Sequence, residues 1–409
     1  MIRRVPFGDL KIGPLARAKI AAALDRNWVS EGENVREFEK KFATKFGWKH
    51  AIATSSGTDA GIVVWSAVRE LGGLEWSQGS VFTPASAFAA TANCLLASGV
   101  KPFFVDVSLG TLNMDLAELD RFVNPGKNDI EAILKIVERE FLGIQFVANM
   151  GKPTSAMLIA LLAKTHGLGI IGDFCEGHGA GFIVDESEKL GAPGPRFFNR
   201  FQYADHYCDA AIYSFFTAHM IVAGEGGMIC TDDDEIAALC RSIKCHGYRP
   251  GPRFDFQRVG FNSKMNELTA AIGLEGLEKF DETFARRRKV RAKLIDHLSR
   301  FEDRLILYRD APGEVIAPHA FPIVLRDPAA DIMPLYRHLE ESGVQCKTLF
   351  GSLPTQHGAF KFLSHKLGDF PIAERIGRTG LHFSCSEYLT DEDIDYIAER
   401  VKDGLKESC

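Results

Sequence analysis

Residues 54–60 (TSSGTDA) could bind an anion, because small and hydroxyl-bearing residues follow an apolar run that predicts a strand. A helix is predicted to begin directly after them, and backbone N–H groups at a helix N-terminus attract negative charge. The same residues also fit an ordinary helix cap made by Ser or Thr, and alone the cap is the commoner explanation.

Residues 172–180 (GDFCEGHGA) place a carboxylate, Asp173, at the end of another apolar run. Open α/β folds bind ligands at the carboxyl ends of their strands. A carboxylate in that place can hold the proton on a pyridine nitrogen, which keeps such a ring an electron sink. An aspartate that only shapes a turn explains this segment equally well.

Residues 213–227 (YSFFTAHMIVAGEGG) leave a predicted strand, cross a polar turn and enter another strand. His219 lies in that turn. Because the ordinary pKa of histidine is about 6.5, its side chain can act as a base or, once protonated, as an acid near neutral pH. A structural histidine with its hydrogen bonds satisfied is nevertheless commoner than a catalytic one.

Strands alternate with helices in the first part of the chain, which predicts a mostly parallel sheet covered on both faces. The helices are predicted from apolar residues at helical spacing and the strands from short apolar runs. Helices are expected near residues 34–46, 60–71 and 155–166, and strands at 50–54, 81–83, 102–105, 168–172, 210–216 and 227–231.

The pattern changes near residues 247–252, which are rich in Gly and Pro. We therefore expect a large domain over residues 1–250 and a smaller α+β domain over 251–409. In the second domain the expected elements are a helical stretch at 263–301 broken near Asp281, a strand at 315–325, a helix at 333–342, a strand at 344–348 and a helix at 391–406.

Composition excludes several classes of protein. The 409 residues carry a net charge of -6 and no basic cluster, so nucleic acid is not an expected partner. No long apolar stretch predicts a membrane span, and the first residues lack the apolar region of a secretory signal, so a cytoplasmic location is expected. The nine cysteines are scattered without a CxxC pair, which predicts small buried residues rather than disulfides or metal ligands.

Taken together and in this order, the three segments resemble the sugar aminotransferase family typified by DegT, DnrJ, EryC1 and StrS, a branch of the fold-type I pyridoxal phosphate enzymes. The resemblance covers nearly the whole chain and includes residues 28–32, 149–153, 246–248 and 260–267. It implies an α/β fold of the fold-type I aminotransferases, with a mostly parallel seven-stranded sheet flanked by helices and a smaller α+β C-terminal domain.

The resemblance also assigns cofactor contacts to seven residues. By this match, Gly57, Thr58 and Ser214 contact the cofactor phosphate, Phe88 stacks on the pyridine ring, Asp173 pairs with the ring nitrogen, Glu176 lies near the ring hydroxyl, and Asn262 reaches the phosphate in a neighbouring subunit. The last contact implies a homodimer with shared active sites.

One position departs from the family. Its ordinary members have lysine six residues before the acidic residue of an acid-Gly-Gly motif, and counting back from Glu225 gives His219. Imidazole is not a primary amine and cannot form the covalent link that anchors the cofactor. The same replacement occurs in the sugar 3-dehydratase branch of the family.

This branch implies a reaction for the chain. Pyridoxal phosphate becomes pyridoxamine phosphate with L-glutamate as amino donor, and the cofactor then acts on a nucleotide-linked 4-keto-6-deoxyhexose. His219 removes a proton, helps the hydroxyl at sugar carbon 3 to leave, and ammonia is released. By resemblance the substrate is GDP-4-keto-6-deoxy-D-mannose, although the sequence does not identify the nucleotide or the hexose.

Three alternatives stay open. The iron–sulfur CDP-4-keto-6-deoxyglucose 3-dehydrases carry a cysteine-rich insertion where residues 248–259 contain no cysteine, so no cluster and no reductase partner are expected. An atypical sugar-nucleotide aminotransferase is the second. A non-catalytic binding or regulatory homologue is the third, and the retention of Asp173, Glu176, Ser214 and Asn262 argues against it.

The segment 192–206, which contains Phe197, Phe198, Arg200 and Phe201, is longer than the usual hairpin in the family. It is either a surface loop or a part of the sugar site. Arg249, Arg253 and His319 are candidates for phosphate or sugar contacts, although solvated surface charges are the commoner explanation.

Overall fold

The computed structural model describes residues 4–8, 10–137, 139–153, 155–183, 201–249, 251 and 254–407. Phe197, Phe198 and Arg200 of the 192–206 segment lie outside the described residues, and so does Arg253.

A seven-stranded sheet forms the centre of the molecule. In chain order its strands are β1 (His50–Thr54), β2 (Ser80–Pro84), β3 (Lys101–Val105), β4 (Phe141–Val147), β5 (Gly169–Asp173), β8 (Ala210–Ser214) and β9 (Gly227–Thr231). Between β5 and β8 the chain forms a hairpin outside this sheet, with β6 (Gly181–Ile183) and β7 (Phe201–Tyr203). The sheet order is β1-β9-β8-β5-β4-β2-β3. The strand β9 runs in the direction opposite to the other six strands of this sheet, so the predicted mostly parallel seven-stranded sheet is confirmed.

Helices cover the sheet. They are α1 (Pro14–Asp25), α2 (Glu33–Phe46), α3 (Gly57–Leu71), α4 (Ala89–Ala97), α5 (Leu116–Val123), α6 (Ile130–Ile136), α7 (Ala156–Thr165), α8 (Asp234–Ile243) and α9 (Glu267–Glu278). Short 3-10 turns lie at Asn149–Gly151, Ala204–Tyr207, Ser299–Phe301 and Gly358–Leu363. Within the described ranges, no helix is long and apolar enough to cross a membrane.

The helix α2 shows how the pattern determines the packing. Val35, Phe38, Phe42 and Phe46 recur three or four residues apart, so they form one face of the helix, and all four are buried in the core over the sheet. Phe42 and Phe46 contact the ring of Tyr213 on β8. The predicted helix is therefore confirmed, and it covers the strand that leads to His219.

The C-terminal part contains a four-stranded antiparallel sheet with the order β10-β12-β14-β13. Its elements are α10 (Phe280–Leu298), β10 (Leu305–Leu307), β11 (Glu314–Val315), β12 (Ala320–Leu325), α11 (Met333–Glu341), β13 (Cys346–Thr348), α12 (Leu353–Gln356), α13 (Pro371–Thr379), β14 (Gly380–Ser384) and α14 (Asp391–Glu407). The strand β11 belongs to a separate three-stranded sheet with the order β11-β6-β7.

The single strand expected over residues 315–325 is wrong, because two strands of different sheets share this range. The strand β11 ends at Val315 and pairs with β6, whereas β12 begins at Ala320 and pairs with β10 and β14. Pro318 between them has no N–H to donate to a ladder. Ala317 donates its N–H to Gly151 of the main-sheet region instead.

The division at residue 250 stays a proposal. The helix α9 packs against α1 and α2, and Leu274 and Leu277 belong to the core of the main sheet. Val5 forms a bridge with Val344 and packs in the C-terminal core. Within the two-domain proposal, this packing favours a boundary close to Lys279, where α9 ends.

Candidate active site

The turns after β1 and β8 pack directly against each other. A Cβ atom at Gly57 would lie 2.7 Å from the Cβ of Ser214 and 3.1 Å from the Sγ of Cys175. Glycine is therefore required at this contact between the N-terminus of α3 and the end of β8. Thr58, in the first turn of α3, is partly exposed. The structure thus brings Gly57, Thr58 and Ser214 together.

The cap interpretation is correct for Ser56. Its Oγ accepts a hydrogen bond of 3.0 Å from the backbone N–H of Asp59, as an N-cap residue does. The Asp59 carboxylate in turn accepts hydrogen bonds from Ser55 and Ser263. Because these groups satisfy one another, an anion bound here would use the backbone of α3 and the hydroxyls of Thr58 and Ser214.

Asp173 ends β5 and is buried, with 8% of its surface exposed. Its carboxylate accepts hydrogen bonds of 3.1 Å from the Thr91 hydroxyl and from the Cys175 backbone N–H. Burial raises the pKa of Asp173, and these hydrogen bonds act in the opposite direction. The site therefore holds a carboxylate with few other partners at a strand end, suited to a cationic N–H group.

An exposed aromatic ring lies three residues before Thr91, the residue whose hydroxyl binds this carboxylate. Phe88 precedes α4, the helix that carries Thr91, and 63% of its surface is exposed. The rings of Phe88 and Phe350 are 5.8 Å apart between centroids and meet at a steep angle. The exposure of Phe88 leaves part of its ring surface available to a flat ring.

Glu176 follows Asp173 and is held by a turn at the end of β4. Its Oε2 accepts a hydrogen bond of 2.7 Å from the N–H of Met150, whose φ is 53°. Burial raises the pKa of Glu176 to about 8. The other oxygen, Oε1, lies 3.5 Å from Nε2 of His319.

The next residue of that turn, Gly151, brings the C-terminal part to the site. Its φ is 74°, and a Cβ there would lie 1.6 Å from the carbonyl oxygen of Ala317. Only glycine permits this approach, which places His319 two residues further along, beside Glu176.

Replacing Gly151 with alanine is expected to lower the free energy of unfolding by about 3 kcal/mol or more, since a methyl group would overlap the Ala317 backbone. Gly167 is a matched control, because its φ is 66° but nothing lies within 4 Å of its Cβ position. Gly167→Ala should lower the free energy of unfolding by only about 1–2 kcal/mol, because only the left-handed backbone conformation is unfavourable for alanine there. The two variants are compared by urea unfolding, and equal losses would contradict this account.

His219 lies between β8 and β9 and is buried, with 9% of its surface exposed. Its Nδ1 lies 3.3 Å from Nδ1 of His319. Burial and the positive charge of Arg287 lower the pKa of His219 to about 3. The imidazole is therefore neutral, and one ring nitrogen is free to accept a proton.

Asn262 precedes Ser263, which contacts Ser55 and Asp59 beside the N-terminus of α3. Its side chain is exposed, and Oδ1 accepts a hydrogen bond of 2.6 Å from the Lys264 ammonium group. With its oxygen engaged, the amide N–H groups are left to donate elsewhere. The contact of Asn262 with a neighbouring subunit stays a prediction.

Four residues of the site had no role in the sequence analysis or only a vague one. Thr91 binds Asp173, Met150 binds Glu176, and His319 and Arg287 contact His219 or its backbone. The segment 149–153 carried a usable signal, since it was part of the family resemblance. From the sequence alone, His319 is only a candidate for phosphate or sugar contacts.

The sheet order and the strand-end site define an α/β enzyme of the pyridoxal phosphate aminotransferase fold. The chain belongs to the DegT/DnrJ/EryC1/StrS aminotransferase family, whose model matches residues 11–402.

Its relatives differ in reaction. The chain is 30% identical to the GDP-perosamine synthase of Caulobacter vibrioides, with 93% of each chain covered. It is 26% identical to the GDP-4-keto-6-deoxy-D-mannose 3-dehydratase of Escherichia coli O55:H7, with 94% of this chain and 95% of the relative covered.

Solved structures share the fold. The aminotransferase TlmJ from Streptoalloteichus hindustanus superposes with a TM-score of 0.81 at 22% identity, over 98% of this chain and 99% of that one. The E. coli GDP-4-keto-6-deoxy-D-mannose-3-dehydratase with bound hydrated pyridoxal phosphate gives 0.79 at 23% identity, over 98% and 100%.

Pyridoxal 5'-phosphate is the cofactor of this chain, and the residues present fit it. The buried carboxylate of Asp173 suits a protonated ring nitrogen. The close contact of Gly57 with Ser214 at the N-terminus of α3 suits a phosphate. Phe88 offers an exposed ring face. Among the described residues no cluster of metal ligands occurs.

Proposed function

We propose that the chain dehydrates a nucleotide-linked 4-keto-6-deoxyhexose at carbon 3, using pyridoxamine phosphate, with L-glutamate as amino donor and release of ammonia. The substrate we propose is GDP-4-keto-6-deoxy-D-mannose. The observation that carries the proposal is His219, a buried imidazole in the place of the family's lysine. Dehydratases of this sugar among the relatives support it.

No other buried lysine replaces the missing one in the described part of the chain. The buried lysines there are Lys152 and Lys244. Lys152 is paired with Glu314, and Lys244 contacts Glu31 and the carbonyl of Ala53. Both ammonium groups are engaged in these contacts, so we infer that neither anchors the cofactor and that the cofactor is not covalently attached.

Each side chain of the site has a separate role in the proposed reaction. We propose that Asp173 pairs with the ring nitrogen, Phe88 stacks on the ring, Glu176 lies near its hydroxyl, and Gly57, Thr58 and Ser214 hold the phosphate. When bound, the cofactor supplies an electron sink for breaking a C–H bond. His219 takes the proton from carbon and returns it to the departing hydroxyl, which leaves as water.

The alternative is an aminotransferase on a sugar nucleotide. The relation to GDP-perosamine synthases at 30% and 25% identity favours it. An aminotransferase would leave the amino group on the sugar and release no ammonia. The homodimer with Asn262 shared between subunits, the cytoplasmic location and the absence of a reductase partner remain parts of our proposal.

Ammonia release tests the proposal. The purified protein is mixed with pyridoxal phosphate, L-glutamate and GDP-4-keto-6-deoxy-D-mannose without reductant, and ammonia and 2-oxoglutarate are followed. We expect both in equal amounts over many turnovers. Continued 2-oxoglutarate with an aminated sugar and no ammonia would establish the aminotransferase. One 2-oxoglutarate per site would show the wrong sugar, and no cofactor binding would favour the non-catalytic alternative.

A further inference from the structure

The side chains of His219, His319 and Glu176 form a row, with His319 in the middle. The Nδ1 atoms of His219 and His319 lie 3.3 Å apart, and Nε2 of His319 lies 3.5 Å from Oε1 of Glu176. His319 therefore contacts a different partner with each ring nitrogen. Such distances are often long before substrate binds and shorten in the complex.

Arg287 of α10 fixes the two backbones that carry the histidines. Its guanidinium donates to the carbonyl of His219 at 3.0 Å, to that of Ala218 at 3.2 Å and to that of His319 at 3.4 Å. Its Nε donates to the Glu387 carboxylate at 2.8 Å. One buried side chain thus sets the position of His219 relative to His319.

The charges around the row disfavour imidazolium. Burial lowers the pKa of His319, and the charges of His219, His382, Arg287 and His178 act in the same direction. Burial and Arg287 do the same for His219. Burial and Asp173 raise the pKa of Glu176, against a hydrogen bond from Met150. An added proton is therefore more stable on Glu176 than on either imidazole.

We propose that His319 is a positioning residue that relays a proton between His219 and Glu176, an inference that rests on the proposed function. In the resting state Nδ1 of His219 carries hydrogen and donates to Nδ1 of His319, while Nε2 of His319 donates to the Glu176 carboxylate. Nε2 of His219 is then bare and able to accept a proton.

The transfer balances without imidazolium. When Nε2 of His219 gains a proton, its Nδ1 proton passes to Nδ1 of His319, and the Nε2 proton of His319 passes to Glu176. The three groups go from one negative charge to none. When His219 gives its Nε2 proton to the departing hydroxyl, both shifts reverse and Glu176 is again a carboxylate.

The tautomer of His219 tests the relay directly. Full-length protein with ¹⁵N-labelled histidine is loaded with pyridoxamine phosphate, and the ring nitrogens are followed by NMR at about pH 6.5 and about pH 9.5, on either side of the Glu176 pKa near 8. We expect hydrogen on Nε2 of His219 at the lower pH and on Nδ1 at the higher pH. A tautomer that stays the same across this range would overturn the relay.

Variants separate the relay from simple packing. His319→Leu should abolish the tautomer switch and lower the turnover number about 10²-fold. His319→Asn can keep an acceptor for Nδ1 of His219, so it should retain the Nδ1–H tautomer at both pH values without the switch. His382→Asn, in the same group of buried histidines, should keep the switch. A switch that persists in both His319 variants would overturn the proposal.

The pH profile gives a second readout. The turnover number should fall as pH falls through the pKa of Glu176, because the resting state needs its carboxylate. Glu176→Gln should remove this limb as well as the switch. The tautomer measurement does not require the sugar substrate, so the two proposals can fail separately. A tautomer switch without ammonia release would contradict only the proposed function, whereas ammonia release without a switch would contradict only the relay.

Discussion

The His219→Lys variant is expected to bind pyridoxal phosphate covalently and to lose dehydration by about 10³-fold or more, within the range that general acid–base catalysis contributes. The lysine amine would stand where the family has its anchoring residue, so it would hold the cofactor and favour ordinary transamination. The link is measured by the visible absorbance of the protein and by its mass after borohydride reduction, and the rate by ammonia release.

The His219→Asn variant is the matched control for this experiment. It removes the imidazole but adds no amine, so it should lose dehydration equally and leave the cofactor removable by gel filtration. Dehydration that survives in His219→Lys would exclude His219 as the proton carrier. Loss of activity without a covalent link would show that residue 219 lies out of reach of the cofactor.

Replacing Asp173 with asparagine is expected to lower the turnover number about 10²- to 10³-fold, the size of effect that follows removal of a strong electrostatic contact in an active site. Asn cannot balance a protonated ring nitrogen, and the buried site offers that nitrogen few other anions. Cofactor affinity should fall as well. Steady-state kinetics and titration of the apoprotein with pyridoxal phosphate measure the two effects.

Thr91→Val provides the comparison. It removes one hydroxyl donor, at 3.1 Å from the Asp173 carboxylate, and leaves the charge in place. Thr91→Val should raise the activation free energy by about 1 kcal/mol, which lowers the turnover number roughly fivefold. If Asp173→Asn cost no more than Thr91→Val, the charge of Asp173 would have no part in catalysis.

Local patterns predicted much of the fold, because burial of one face leaves a regular spacing in the sequence. The phenylalanines of α2 and the apolar runs of β1, β5 and β9 are examples. The sequence pattern predicts neither the strand β4 nor the helix α1, and it predicts one strand over residues 315–325 where the structure has two. The break there depends on Ala317 and Gly151, which meet only in the folded chain.

The places of the candidate site residues in the fold were predictable where these residues follow strands in a recognisable order. Asp173, Ser214 and His219 all lie at or just beyond strand ends of the main sheet. The partners of His219 were not predictable, because His319 is 100 residues away and Arg287 is 68 residues away along the chain. The spacing of residues within one helix or strand does not indicate which buried side chains from distant parts of the chain will be in contact.

In our proposal an imidazole takes the place of the anchoring amine, and this would also change how the enzyme keeps its cofactor. A covalently held coenzyme stays with its protein on dilution, whereas a reversibly held one follows mass action. Occupancy of this site is then set by the free concentration of vitamin B6 phosphate relative to its dissociation constant. The same ligand stabilises the fold, by about 2.7 kcal/mol at one hundred times that constant. Supply of the coenzyme would therefore govern both the activity and the lifetime of the protein.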